Sequence, residues 1–196
     1  KGLETQILMP EAGQYDRMYS GSFLLRASNQ LSNLFGTSSS NYIGNLEQIA
    51  PYAAGHSYWT HTTNLGMRDV RTKVRDAAKD YGLGLMQTEW SMLDFPDATT
   101  GFPSDFEKAT YMDVALFMGK LIYCDMVFAD MSAWNYWTAL SPEQWGHKNR
   151  FYLMRVLPTG GDYGSLTEGG TVDENKNLWA LGNYSLFIRP GYKRIE

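Results

Sequence analysis

Glu11, His56 with Tyr58, Glu89 with Trp90, and the aromatic run from Trp134 to Trp137 each close a short apolar segment of this 196-residue chain. Together they supply carboxylates, an imidazole and several aromatic rings. Paired carboxyl groups suit the cleavage of a glycosidic bond. One protonates the leaving oxygen, and the other attacks the sugar carbon or activates water. A carboxylate serves as nucleophile because it can form a glycosyl ester and then release it. Aromatic faces stack on the apolar C–H faces of sugar rings and keep water out. That chemistry requires no metal and no cofactor. His56, His61, His147 and the single cysteine, Cys124, show no zinc spacing.

Short apolar strands alternate with longer amphipathic segments, the pattern of a parallel α/β architecture. Strands are expected over Thr5–Pro10, Ala53–Tyr58, Leu83–Glu89 and Met126–Trp137. Helices are expected over Ser22–Phe35, Met67–Tyr81, Ser104–Tyr123 and Leu178–Ile188. In the second of these, Val70, Val74, Ala77, Ala78 and Tyr81 recur at helical spacing. Its charges, Arg71 among them, read as a solvated face. Ser104 and Glu107 have the spacing of a capping box. Ser141 to Lys176 reads as irregular and glycine-rich, with a hairpin inside it.

Four strand–helix units make half of a (β/α)₈ TIM barrel. In such barrels the catalytic residues stand at the C-terminal strand ends. Strand alternation puts Leu85, Gln87 and Glu89 on one face, and His56 with Tyr58 on another. Each strand therefore aims a polar group into one mouth.

The bulk composition narrows the partners. A net charge of −4, with no run of five basic residues, argues against nucleic acid. No stretch reaches the roughly 18 apolar residues of a membrane span. Aromatic residues make up 14% of the chain, which fits carbohydrate binding and equally a large aromatic core. Cys124 lies in the apolar run Leu121–Cys124 and is expected to be buried. Gly160–Gly161 and Gly169–Gly170 read as turns, since the lysine and helix of a phosphate loop are missing. Asp94 and Asp97 read as a solvated loop, and Trp59 and Trp145 stay open between core and site.

Several segments together carry a resemblance. Met9-Pro10-Glu11, Gly55-His56-Ser57-Tyr58, Gln87-Thr88-Glu89-Trp90 and Ala133-Trp134-Asn135-Tyr136-Trp137 resemble strand ends five to eight of glycoside hydrolase family 30. The closing stretch from Leu181 to Ile195 is similar to that family's last barrel helix running into its β side domain. The resemblance implies the C-terminal half of the barrel over residues 1–188, with 189–196 opening a side domain. It implies a retaining mechanism with Glu89 as nucleophile. Glu11, His56, Tyr58, Trp90, Trp134 and Trp137 would contact the carbohydrate, with Trp137 favoured as the aromatic floor. The family's acid/base glutamate stands in an Asn-Glu-Pro segment on strand four, and this chain contains no Asn-Glu-Pro. A partner would then supply the N-terminal half barrel, or the chain would self-associate. The resemblance also implies a secreted, periplasmic or cell-surface protein. The competing expectation is a carbohydrate-binding half barrel, or fragment, without catalysis.

Overall fold

The structure is a computed structural model that describes residues 4–21, 28–142, 146–159 and 168–195. Four strands form one parallel sheet in the order β1-β2-β3-β4: β1 Ile7–Ala12, β2 Ile49–His56, β3 Gly84–Glu89 and β4 Met131–Trp134. Parallel neighbours need a crossover between them, usually a helix. Here the crossovers carry α1 (Asp16–Tyr19) and α2 (Gln30–Phe35), then α3 (Asn64–Lys79), then α4 (Tyr111–Phe128). After β4 come β5 (Leu140–Ser141), β6 (Met154–Pro158) and β7 (Gly170–Glu174) in a second sheet. The antiparallel pair β6–β7 is the hairpin expected in the glycine-rich segment. Helix α5 (Lys176–Phe187) packs beside α4.

Helix α3 forms because Thr63 caps it, its hydroxyl accepting from the Gly66 N–H at 2.8 Å. Its buried stripe is Met67, Arg71, Val74 and Ala78. The expected solvated face therefore contains one error: Arg71 has no exposed surface. Its guanidinium is neutralised inside the protein by Asp125 of α4, Nε to Oδ1 2.7 Å, and Asp125 is equally buried. A charge can leave water when it is paired and hydrogen-bonded.

Helix α4 starts later than expected. Its capping box is Thr110 with Asp113: the Thr110 hydroxyl accepts from the Asp113 N–H at 3.1 Å, and Asp113 accepts from the Thr110 N–H at 2.7 Å. Ser104 to Ala109 is a turn instead, where Asp105 accepts from the Lys108 N–H at 2.8 Å. Within this segment Phe106 packs edge-on against Phe95 and Phe102. The helix also runs on to Phe128, so β4 is shorter than the expected Met126–Trp137, and a left-handed Asp130 (φ 58°) makes the turn between them. The first strand runs past Pro10 to Ala12, and the second starts at Ile49 and stops at His56, leaving Tyr58 in the loop beyond. Of the first expected helix, residues 22–27 lie outside the described residues, as do Glu143, Trp145 and the Gly160–Gly161 pair.

Two apolar clusters hold the layers together. One joins the strands, through Ala12, Ala53, Leu85 and Met131, to Met18, Leu31, Phe35, Val74 and Ala78 of the helices. The other lies beyond the strand ends and joins Tyr58, Trp90, Met92 and Phe102 to Val114, Phe117, Met118 and Leu121 of α4. Cys124 is buried, and burial pushes its thiol up. No helix among the described residues is long and apolar enough to cross a membrane.

Candidate active site

The C-terminal ends of β1, β2 and β3 carry two hydrogen-bonded groups, joined by a ring contact between His56 and Tyr58. The Tyr58 hydroxyl donates to Glu89 Oε1 at 2.9 Å and lies 3.5 Å from Ser91 Oγ. His56 Nε2 lies 2.9 Å from Glu11 Oε2, and the Thr88 hydroxyl donates to the same oxygen at 3.0 Å. The His56 and Tyr58 rings stand edge-on, 5.7 Å between centroids. Glu11 keeps 46% of its side chain exposed and His56 16%, so the cluster opens outward at Glu11. Burial pushes the Tyr58 phenol above its usual range, and the neighbouring Glu89 carboxylate adds to the rise. It therefore stays protonated, as a donor to Glu89 must.

The strand ends reach these positions through irregular pairing. Between β2 and β3, Gly55 faces Gln87 but His56 faces Glu89, so Thr88 is an extra residue on β3. A bulge of this kind re-aims side chains. Thr88 turns to Glu11 while Glu89 turns to Tyr58. Between β1 and β2 the register also slips between Pro10 and Ala12, and Glu11 there sits at φ 58°. Between β3 and β4 a third slip places Gln87 opposite Trp134. Gln87 is fully buried, and its side-chain oxygen accepts from the Asn135 N–H at 2.9 Å, which ties the two strand ends. It braces the site and does not line the mouth.

The aromatic residues divide. Trp90 has no exposed surface: it packs against Trp134, Tyr136 and His61, with its indole N–H 3.4 Å from His61 Nδ1. A ring with no exposed surface supports the site through packing, which corrects the expectation that it touches carbohydrate. Trp134 is half-buried and donates its indole N–H to Asp125 Oδ2 at 2.8 Å. Trp137 is 38% exposed, and its backbone N–H is held by the Trp90 carbonyl at 2.9 Å. Trp59, next to Tyr58, is 50% exposed.

Sequence reasoning missed the groups under the cluster. Asp125 accepts from Arg71, from the Ser57 hydroxyl at 2.8 Å and from Trp134, and Ser57 also bonds the Tyr15 hydroxyl at 2.8 Å. One carboxylate thus links the loop after β2, helices α3 and α4, and the end of β4. The signal in the sequence was faint: an acid inside the apolar stretch Val114 to Phe128. His61, in the loop beyond β2, is fully buried, with Nε2 3.4 Å from Asp94 Oδ2. Asp94 itself is 17% exposed, which corrects its reading as a solvated loop residue. Among the described residues, no group of three or more His, Cys, Asp or Glu side chains is placed to hold a metal ion.

A parallel sheet with carboxylates at its C-terminal strand ends, together with the sequence, defines a class of protein. A family model of O-glycosyl hydrolase family 30 matches residues 1–149, and the chain belongs to that family of glycoside hydrolases. The chain is also similar to a solved structure, a conserved exported protein from Bacteroides fragilis. The TM-score is 0.77 at 22% identity, covering 96% of this chain and 38% of that one. At that identity the likeness concerns the fold. The chain spans well under half the length of this neighbour. No curated protein matches it in sequence.

Proposed function

We propose that this chain carries the nucleophile of a retaining β-glycoside hydrolase acting on β-linked poly- or oligosaccharide. The observation that carries the reading is the bond from Tyr58 to Glu89, a carboxylate at the end of its strand held by a phenol that stays protonated. In a double displacement, Glu89 attacks the anomeric carbon and forms a glycosyl ester, and water then releases the sugar. Tyr58 orients the attacking carboxylate. His56 and Glu11, bonded to each other, and the exposed face of Trp137 would hold the ring, with Trp134 behind.

The four-stranded sheet fits strands five to eight of a (β/α)₈ barrel ending near residue 188, with residues 189–196 opening a side domain. Among the described residues nothing pairs with the outer edges of β1 and β4. Open edges of this kind seek strands. A preceding half barrel, or a second copy, would close them, and the half barrel would bring the acid/base glutamate that a chain without Asn-Glu-Pro does not supply. A secreted, periplasmic or cell-surface location follows from action on external glycans and accords with the exported neighbour.

The test is mechanism-based labelling of the intact protein with 2-deoxy-2-fluoro β-glycosides, followed by peptide mass mapping. A covalent adduct on Glu89 is expected. An adduct on any other residue, or none with every sugar tried, rejects the assignment.

A further inference from the structure

The loop after β2 presents one residue outward. Ser57, Tyr58, Thr60 and His61 are all buried, whereas Trp59 between them is 50% exposed. Its backbone is left-handed, at φ 54°. A bulky side chain rarely adopts that conformation, and such strain gathers where a ligand is held. The surrounding turn enforces it. The Ser57 carbonyl accepts from the Thr60 hydroxyl at 2.8 Å and the Thr60 N–H at 3.4 Å, and His61 Nδ1 lies 3.2 Å away. Ser57 in turn is anchored to Asp125 and Tyr15. The backbone that carries the indole is therefore held by a hydrogen-bonded turn, while half the surface of Trp59 stays in water. Its ring lies 5.6 Å from the Tyr58 ring, whose hydroxyl is on Glu89.

Strand order adds direction. Trp59 follows β2, Glu89 ends β3, and Trp137, the other exposed indole at these strand ends, follows β4. β3 lies between β2 and β4, so the segments that carry Trp59 and Trp137 leave the strands on either side of the one that ends in Glu89. We propose that Trp59 is a sugar platform for a unit of a β-linked oligosaccharide beyond the one at Glu89, opposite the platform offered by Trp137. A flat apolar ring that is already oriented binds the C–H face of a pyranose at small entropic cost. Two platforms flanking the reacting carboxylate favour a chain that crosses the site over a single terminal sugar. This rests on the glycosidase reading above.

The test uses the intact protein in the non-turnover Glu89→Gln background. β-1,6-Galacto-, β-1,6-gluco- and β-1,4-xylo-oligosaccharides of one to five units are titrated calorimetrically into the parent, Trp59→Asn and Trp59→Phe. Asparagine tolerates the left-handed backbone, so Trp59→Asn removes the ring without straining the turn. Affinity in the parent is expected to rise with chain length for at least one series. Trp59→Asn is expected to weaken the four-unit ligand about tenfold more than the single sugar, with Trp59→Phe between the two. Melting temperatures of both variants confirm folding. Equal affinity of parent and Trp59→Asn for the longer ligands overturns the inference, even where the fluoro-sugar labels Glu89. A parent that binds no member of the panel, or no label on Glu89, overturns the inference together with the reading beneath it.

Discussion

The phenol of Tyr58 and the carboxylate of Glu89 come from different strand ends, 31 residues apart in sequence, and meet at 2.9 Å. A hydrogen bond to a charged group contributes roughly 1.5–3 kcal/mol. On the proposed glycosidase reading, Tyr58→Phe in the intact protein is therefore predicted to lower kcat by about 10- to 100-fold with little change in fold. Steady-state kinetics beside a melting curve check this. Unchanged kcat in a folded variant would mean that Tyr58 does not orient the nucleophile.

Glu89→Gln keeps the shape of the side chain and removes its capacity to form the ester. The prediction is a loss of turnover on the order of 10³-fold or more, with oligosaccharide binding largely retained. Paired kinetics and calorimetry decide it, and retained turnover would falsify the nucleophile role.

The Arg71–Asp125 pair has no exposed surface on either side, so its loss is not cushioned by solvent. Breaking a buried pair by removing one partner costs about 3–5 kcal/mol, because the other charge is left stranded. Arg71→Met is predicted to destabilise by that order in urea denaturation. Arg71→Met with Asp125→Leu is predicted to recover part of the loss. A double variant as weak as the sum of both single variants would contradict the pairing argument.

Burial holds the His61 imidazole below its ordinary value, against the opposing pull of Asp94. The unfolded chain takes up a proton as pH falls through about 6.5, and the folded protein resists until a lower pH. In that window the unfolded state binds more protons, so stability is lost on acidification. Urea midpoints at pH 7.5 and 5.5 are predicted to differ less in His61→Gln than in the parent. The same acid sensitivity in both would place its origin elsewhere.

The alkaline side has the opposite sign. Burial raises the phenols of Tyr15, Tyr58 and Tyr136, and it raises Tyr19 to about 12. The unfolded chain loses phenolic protons near pH 10, before the folded protein does. Stability is predicted to fall as pH rises above about 10, with tyrosinate absorbance lagging until the protein unfolds. Smooth titration of every tyrosine at pH 10 without unfolding would contradict these burials.

The parallel strand–helix order was legible because apolar runs and helical spacing are local. So was the polar or aromatic character of each strand end. Helix starts were less legible, since Ser104 and Thr110 both carry capping chemistry, and the packing of Phe106 with Phe95 and Phe102 went with the later start. Two kinds of placement lay outside local pattern altogether. Arg71 looks solvated by composition and is buried because Asp125, 54 residues away, neutralises it. Trp90 and Trp137 look alike as residues, yet one is core and the other surface.

For the site itself, residue type and strand end were set by the sequence: Glu11, His56, Tyr58 and Glu89 stand where their segments stop. Which of them touch was decided by the tertiary structure. A strict two-residue alternation would send Thr88 and Glu89 to opposite faces. The slipped register between β2 and β3 sends Thr88 to Glu11 and Glu89 to Tyr58 instead. Such a slip depends on how two strands distant in sequence pair, and no property of either strand alone encodes it.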